Sequence, residues 1–399
     1  MRLLLIESAP HGGLLHYLVQ LGDGLAERGH EVQLLTARDN ELVGRVRTAT
    51  MRAELPRLVK NTDAPPTGFA YRIRQARIAG RLVRSWSRIL VESRVGGHDA
   101  VVTGTDIGLI PAAAAANLLT RIPGRPPLVR IAHNLQTHNR WGGDALLRES
   151  ALLDRILNAT VPRFDLTLVP GEGAKADFES RWPTASRTAV IPHGDERLFG
   201  EQPPPPALEE RILFFGNWRK VKGLAVLMEA FDELRGRRPD VRLTIAGSPF
   251  ASDTDPSAIT AWAARHGDDV EVIDRYVPID DVADIFARAR VVVTPYLTGT
   301  QSGVVALAMT MSRAVVTSDV GELATAVGDR EGGRVVPPGD AKALAAALEE
   351  VVAEPEVAAR YGASNRRRAF ESTGWEQAAI RLEQALEPLV TDWPRSRTG

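Results

Sequence analysis

Apolar residues fall in short runs separated by stretches of helical spacing, and this alternation persists along the chain. Runs at 3–7, 32–36, 100–103, 128–132, 166–169 and 188–191 read as strands. After the first, Leu14, Leu15, Leu18, Leu21 and Leu25 recur three and four residues apart, which predicts a helix over 14–28 that Gly29 ends. A second set of runs lies at 212–215, 242–246, 270–273, 291–294, 315–317 and 333–336. Strands alternating with helices predict the α/β class with mainly parallel sheets. Between the sets, Gln202-Pro-Pro-Pro-Pro206 breaks any regular element. We therefore expect two Rossmann-like doubly wound domains facing a cleft, at 1–200 and 201–375. A helical pattern at 375–389 and an Arg-rich tail, expected to fray after Trp393, complete the chain.

Composition supports two cores. A chain of 399 residues exceeds what one hydrophobic core usually sustains. Cysteine is absent, which excludes disulfides and thiolate metal sites and fits a reducing cytoplasm. The opening Met1-Arg-Leu-Leu-Leu-Ile6 is too short for a signal-peptide core and meets Glu7, so it reads as a strand. No apolar run approaches a membrane span. A net charge of −1 gives the whole molecule no pull towards nucleic acid.

Charge is nevertheless uneven. Residues 45–94 hold twelve Lys/Arg against three acidic residues, a local balance of +9. Within 72–94, Ile73, Leu82, Val83, Trp86, Ile89 and Leu90 alternate with Arg74, Arg77, Arg81, Arg84 and Arg88, the pattern of a basic amphipathic helix or a pair of them. Such a face is either simply solvated or drawn to anionic headgroups or a lipid-diphosphate acceptor. No aromatic platform accompanies it, so nucleic acid is not expected as a partner. The expected location is cytoplasmic, with peripheral contact at the inner face of the membrane through 72–94.

The richest candidate chemistry lies at Phe214-Phe-Gly-Asn-Trp-Arg-Lys-Val-Lys-Gly223. A strand runs into Gly216, then a basic loop, then a helix whose apolar face is Leu224, Leu227, Met228, Phe231 and Leu234. A strand-to-helix junction offers backbone N–H groups and the positive end of a helix dipole to an anion. Arg219 and Lys222 add two cations, which suits a diphosphate. An ordinary turn with solvated cations has the same pattern.

The stretch resembles the retaining GT-B glycosyltransferases of family 4 (glycosyl transferases group 1). Gly216, Lys222 and Gly223 match the family frame, Asn217 stands where the family usually has Arg, and Arg219 fits a sub-group written Phe-Phe-Gly-x-x-Arg-x-x-Lys-Gly. The resemblance implies that Arg219 and Lys222 grip the donor diphosphate of a UDP- or GDP-linked sugar. It also implies that the helix at 376–399 crosses back to the first domain.

Further motifs extend the resemblance over nearly the whole chain. Ser8-Ala-Pro-His-Gly-Gly13 closes the first strand, and the family places Gly12 and Gly13 beside donor phosphates and acceptor. Leu128-Val-Arg-Ile-Ala-His133-Asn-Leu-Gln-Thr-His138 implies that His133, rather than His138, lies near the transferring sugar. Ile191-Pro-His-Gly194 resembles a structural turn at the domain junction. Gly247 is expected near the nucleotide, and Tyr276 falls where relatives hold the nucleobase through backbone groups. In Thr300-Gln-Ser-Gly303 and the residues after it, Thr300 and Ala308 replace two family glutamates, whereas Thr-Gln-Ser-Gly recurs in the same sub-group. Gly303 opens a helix, so Gln301, Ser302, Gly303 and Val304 can still hold sugar hydroxyls or phosphate.

The implied reaction is transfer of a sugar to a glycan, lipid-linked or small-molecule acceptor with retention at the anomeric carbon. Cations suffice for the leaving diphosphate, so no cofactor or metal is expected. Asp253 and Asp255 read as a turn. Two other readings stay open at this point. One is a catalytically silent relative that binds a nucleotide or glycan. The other is a nicotinamide oxidoreductase, against which stands the lack of G-x-G-x-x-G in both halves.

Overall fold

The computed structural model describes residues 1–56, 68–104, 107, 110–132, 151–183, 187–200, 204, 209–249 and 254–393, with backbone alone at 68–72, 74 and 75. The expected alternation folds into two fully parallel sheets. The first contains β1 (Arg2–Glu7), β2 (Glu31–Ala37), β3 (Thr50–Leu55), β4 (Ala100–Thr103), β5 (Leu128–Ile131), β6 (Leu166–Val169) and β7 (Arg187–Val190), in the order β3-β2-β1-β4-β5-β6-β7. The second contains β8 (Arg211–Phe215), β9 (Arg242–Ala246), β10 (Val270–Ile273), β11 (Val291–Thr294), β12 (Ala314–Ser318) and β13 (Gly333–Val336), in the order β10-β9-β8-β11-β12-β13.

Both orders reverse direction once, between β1 and β4 and between β8 and β11, which defines a doubly wound sheet. Helices cover both faces, so the central strands are apolar on both sides. Leu3, Leu4, Leu5 and Ile6 are all fully buried. In the first half these helices are α1 (Gly13–Glu27), α2 (Gly68–Val95), α3 (Ile110–Thr120), α4 (Ala151–Thr160) and α5 (Glu172–Arg181). The second half contributes α6 (Leu224–Arg237), α7 (Pro256–Ala264), α8 (Ile279–Arg288), α9 (Gly303–Thr310) and α10 (Leu323–Val327), followed by α11 (Ala341–Ala353), α12 (Pro355–Glu371) and α13 (Trp375–Thr391).

The basic segment contains a strand that the hydrophobic pattern does not reveal. β3 pairs with β2 at the sheet edge, and its Arg52 and Glu54 pair with one another and with Glu92 and Arg88 of α2. An edge strand needs only one apolar face, and here that face is short. The 72–94 stretch lies in a single 28-residue helix, α2, with Leu82, Trp86 and Ile89 turned into the core.

The last helix belongs to the first unit. Trp375, Ala378, Ala379, Leu382, Leu386 and Leu389 of α13 share a core with Leu15, Leu18, Leu21 and Leu25 of α1. Arg28 ties Glu383 at 2.6 Å, and the Trp375 ring N–H donates to the Asp195 carbonyl. Of the proline run between the sheets, only Pro204 is among the described residues; the tail after Trp393 lies outside them. Asp253 also falls outside, while Asp255 caps α7 by accepting from the Ser257 N–H. Among the described residues no helix is long and apolar enough to cross a membrane.

Candidate active site

The cleft lies where the carboxyl ends of the two sheets meet, and its second-domain wall is the loop after β8. Trp218 anchors that loop: its side chain is fully buried and its backbone N–H donates to the Ser248 carbonyl at 2.9 Å. The backbones beneath are too close for side chains. A Cβ on Gly247 (φ 139°) would lie 1.9 Å from the Gly216 carbonyl oxygen, and one on Gly223 (φ 69°) 1.8 Å from that of Pro295. Both glycines are therefore fixed by close approach as well as by backbone conformation. Arg219 and Lys222, half-buried, straddle a short turn at Lys220–Lys222 before α6 begins at Leu224.

The loop after β11 completes this wall. The Lys222 ammonium sits 3.6 Å from the centre of the Tyr296 ring, a cation–π contact. The Tyr296 hydroxyl shares a hydrogen bond of 3.0 Å with that of Ser302. Ser302 caps α9 by accepting from the Val305 N–H, so the helix opens at Gly303 with free N–H groups behind a fixed cap. Val304 lies against Gly216, 3.6 Å from where a Cβ would stand. Gly216, Lys222, Gly247, Ser302, Gly303 and Val304 thus lie on one surface, where a cation meets the start of α9. Thr300 is nearly buried beside it, and its carbonyl accepts from the Glu322 N–H at 2.9 Å. Gln301 is half-buried next to Ser302. Ala308 is fully buried inside α9, a position facing core rather than cleft.

Across the cleft, Gly12 precedes α1 and Gly13 opens it, and a carboxylate joins them to the other domain. Glu41 Oε1 accepts from the Gly12 N–H at 2.6 Å and is 2.7 Å from His16 Nε2; Oε2 accepts from the Tyr276 hydroxyl at 2.5 Å. Burial would raise the Glu41 carboxyl, but the bonds from His16, Tyr276 and Gly12 outweigh it and hold the group below the usual range. Burial, together with Glu41, pushes the Tyr276 phenol upward. Tyr276 was expected to act through its backbone; here its side chain also makes a cross-domain contact. His133 and His138 lie outside the described residues.

Beneath the cleft, the Ile191-Pro-His-Gly194 turn forms a packed floor. His193 Nε2 lies 3.4 Å from where a Cβ on Gly303 would stand and 3.5 Å from Glu196 Oε1. Glu196 accepts from the Gln20 amide at 2.8 Å, and its own N–H donates to the Thr310 hydroxyl at 2.8 Å, linking α1 to α9. Burial pushes its carboxyl up to about 8, so Glu196 is held neutral. Glu41, Glu196, Tyr296 and Glu322 were not apparent as site residues in the sequence. Only Glu196 carries a local signal, standing two residues past the junction motif.

Comparison with known proteins fits this architecture. Residues 209–354 match the model described as glycosyl transferases group 1, and residues 11–194 match that of glycosyltransferase family 4. The chain belongs with these glycosyltransferases. A phosphatidyl-myo-inositol mannosyltransferase of Mycolicibacterium smegmatis is 27% identical over 393 residues, covering 95% of this chain and 90% of that protein. Among solved structures, sucrose-phosphate synthase from Thermosynechococcus elongatus aligns with a TM-score of 0.71 at 20% identity, over 98% of this chain and 100% of that one. HepE of Anabaena, solved in complex with UDP and glucose, aligns with a TM-score of 0.70 at 15% identity, over 97% and 99%. These structural likenesses concern the fold, and that fold is GT-B.

Proposed function

We propose that this glycosyltransferase moves a sugar from a UDP- or GDP-linked donor to a lipid-linked, glycan or small-molecule acceptor, with retention at the anomeric carbon. The surface formed by Lys222, the Gly216 loop and the Ser302-capped start of α9 carries this reading, because its cations and N–H groups suit a diphosphate. In the proposed mechanism Arg219 and Lys222 stabilise the charge that gathers on the diphosphate as the glycosidic bond breaks, more strongly than they bind the intact donor. Gln301, Ser302, Gly303 and Val304 hold the phosphate or sugar hydroxyls, Thr300 lines the sugar side, and Gly216, Gly247 and Tyr276 flank the nucleotide. His133 serves the transferring sugar, and Gly12 and Gly13 face it from the acceptor domain.

UDP held by HepE supports a uridine donor, and the mannosyltransferase relative supports an acceptor linked to lipid. The exposed arginines of α2 suit peripheral contact with an anionic inner membrane face. A silent nucleotide-binding relative remains the second reading, favoured by Thr300 and Ala308 in the family's glutamate positions. Nucleotide release from a panel of UDP- and GDP-sugars separates the two: turnover is expected with at least one donor. UDP or GDP should also raise the melting temperature in proportion to ligand concentration, and NAD should not. Stabilisation by NAD alone overturns the assignment.

A further inference from the structure

Glu322, in the loop after β12, sends its side chain out of the second domain and into the first. Its Oε1 accepts from the Ala174 N–H at 3.1 Å, in the first turn of α5. Three residues into a helix, that N–H has no partner within the helix, and the dipole there favours a carboxylate. The seat is close-fitting. A Cβ on Gly171 would lie 2.2 Å from the Glu322 carboxyl carbon, and one on Gly173 2.9 Å from Oε1. Gly171 has φ −166°, extended backbone that any residue adopts. Its own conformation therefore does not call for glycine; the carboxylate arriving from the other domain does.

A second carboxylate spans the cleft elsewhere. Glu41, after β2, accepts from the Tyr276 hydroxyl after β10, and close by Arg45 holds Asp280 in two bonds of 2.9 and 2.7 Å. Strand order separates the two contacts. β2 and β10 lie towards one edge of their sheets, β6 and β12 towards the other, with β1, β4 and β5 facing β8, β9 and β11 between. The cleft is thus pinned at both sides. The Glu322 N–H also donates to the Thr300 carbonyl, which leads within two residues to the cap of α9.

We propose that Glu322 and Glu41 are positioning residues that latch the two domains together, so that the free protein rests closed and must release both carboxylates to exchange ligands. The latch does not depend on what the cleft binds. Small-angle scattering of the full chain without nucleotide tests it, because Gly171→Ala clashes only when the domains are shut. The wild-type protein should show the compact radius of gyration of ~21 Å expected for its length. Gly171→Ala should increase that radius. In a Glu322→Ala background the same substitution should add nothing, since the obstructing carboxylate is gone. Glu322→Ala combined with Tyr276→Phe should expand the protein as far as Gly171→Ala does. An unchanged radius in Gly171→Ala, or an equal expansion with and without Glu322, overturns the proposal. So does a wild-type protein already expanded. Each of these failures leaves the transfer reading intact, because no nucleotide is added.

Discussion

The Lys222 ammonium rests on the face of Tyr296, 3.6 Å from its centre. The two belong to different loops, after β8 and after β11, and the tyrosine hydroxyl reaches on to Ser302. One aromatic ring therefore sets the place of a cation and steadies the cap of the facing helix. Tyr296→Phe gives up one hydrogen bond, about 1 kcal/mol, and should lower turnover by less than tenfold. Tyr296→Ala also removes the support under Lys222 and should approach the loss expected on removing the lysine. Steady-state rates of the two variants check this; equal losses would show that the ring itself contributes nothing.

Lys222→Ala and Arg219→Ala should each lower turnover at least about tenfold, or ~1.4 kcal/mol of transition-state stabilisation. Their melting temperatures should stay near wild type, since both side chains are only half-buried. Wild-type activity in both folded variants would move the diphosphate site elsewhere.

Glu196 links stability to pH. Burial lifts its carboxyl to about 8 from an ordinary 4.5, so the folded state keeps a proton that the unfolded state gives up. Its contribution is full below pH 4.5, falls as pH rises towards about 8, and is flat above. Denaturant unfolding should show wild type losing stability relative to Glu196→Gln across that window. Parallel pH profiles for the two proteins would show that the group is already ionised in the fold.

The exposed arginines of α2 predict vesicle binding. Arg77, Arg81 and Arg84 lie on its outer side with Ile73, Val83 and Val91, while Arg88 is engaged by Glu54 and Glu92. Each basic residue near an anionic surface adds ~1 kcal/mol. The protein should sediment with anionic vesicles and not neutral ones, and release as salt brings the Debye length below about 8 Å. Arg77, Arg81 and Arg84 changed together to Glu should abolish sedimentation and leave nucleotide binding intact. Equal partitioning onto both vesicle types, or onto neither, makes this a solvated face.

How far the sequence was legible depends on the distance over which each feature is determined. β1, β8 and the apolar stripe of α6 are local, since a run of aliphatics or a three-and-four spacing is visible within a dozen residues. The basic loop and the Ser302 helix start are local in the same way. β3 was hidden because its outward Arg52 and Glu54 make it look like charged loop, and only pairing with β2 and α2 gives those charges partners. The Glu41–Tyr276 and Glu322–Ala174 contacts join residues 235 and 148 positions apart, and no local pattern marks either pairing, although Tyr276 itself was singled out for its backbone. Tyr296 was equally silent, because a tyrosine beside a strand reads as core until a lysine from another loop is laid upon it.

The return of α13 to α1 bears on how the chain is made. The core around Leu15, Leu18 and Leu25 is closed by Leu382, Leu386 and Leu389, so the α1 side of the first sheet stays only partly covered long after its last strand has been synthesised. At ribosomal rates of ~5–20 residues per second, the wait from β7 to the end of α13 is roughly 10–40 s. The second unit, whose main cores draw on residues from 212 to 370, is finished first. The face of the first unit that α13 closes is thus completed last although that unit is synthesised first, and the nascent amino-terminal half is the part that a holding chaperone would be expected to grip.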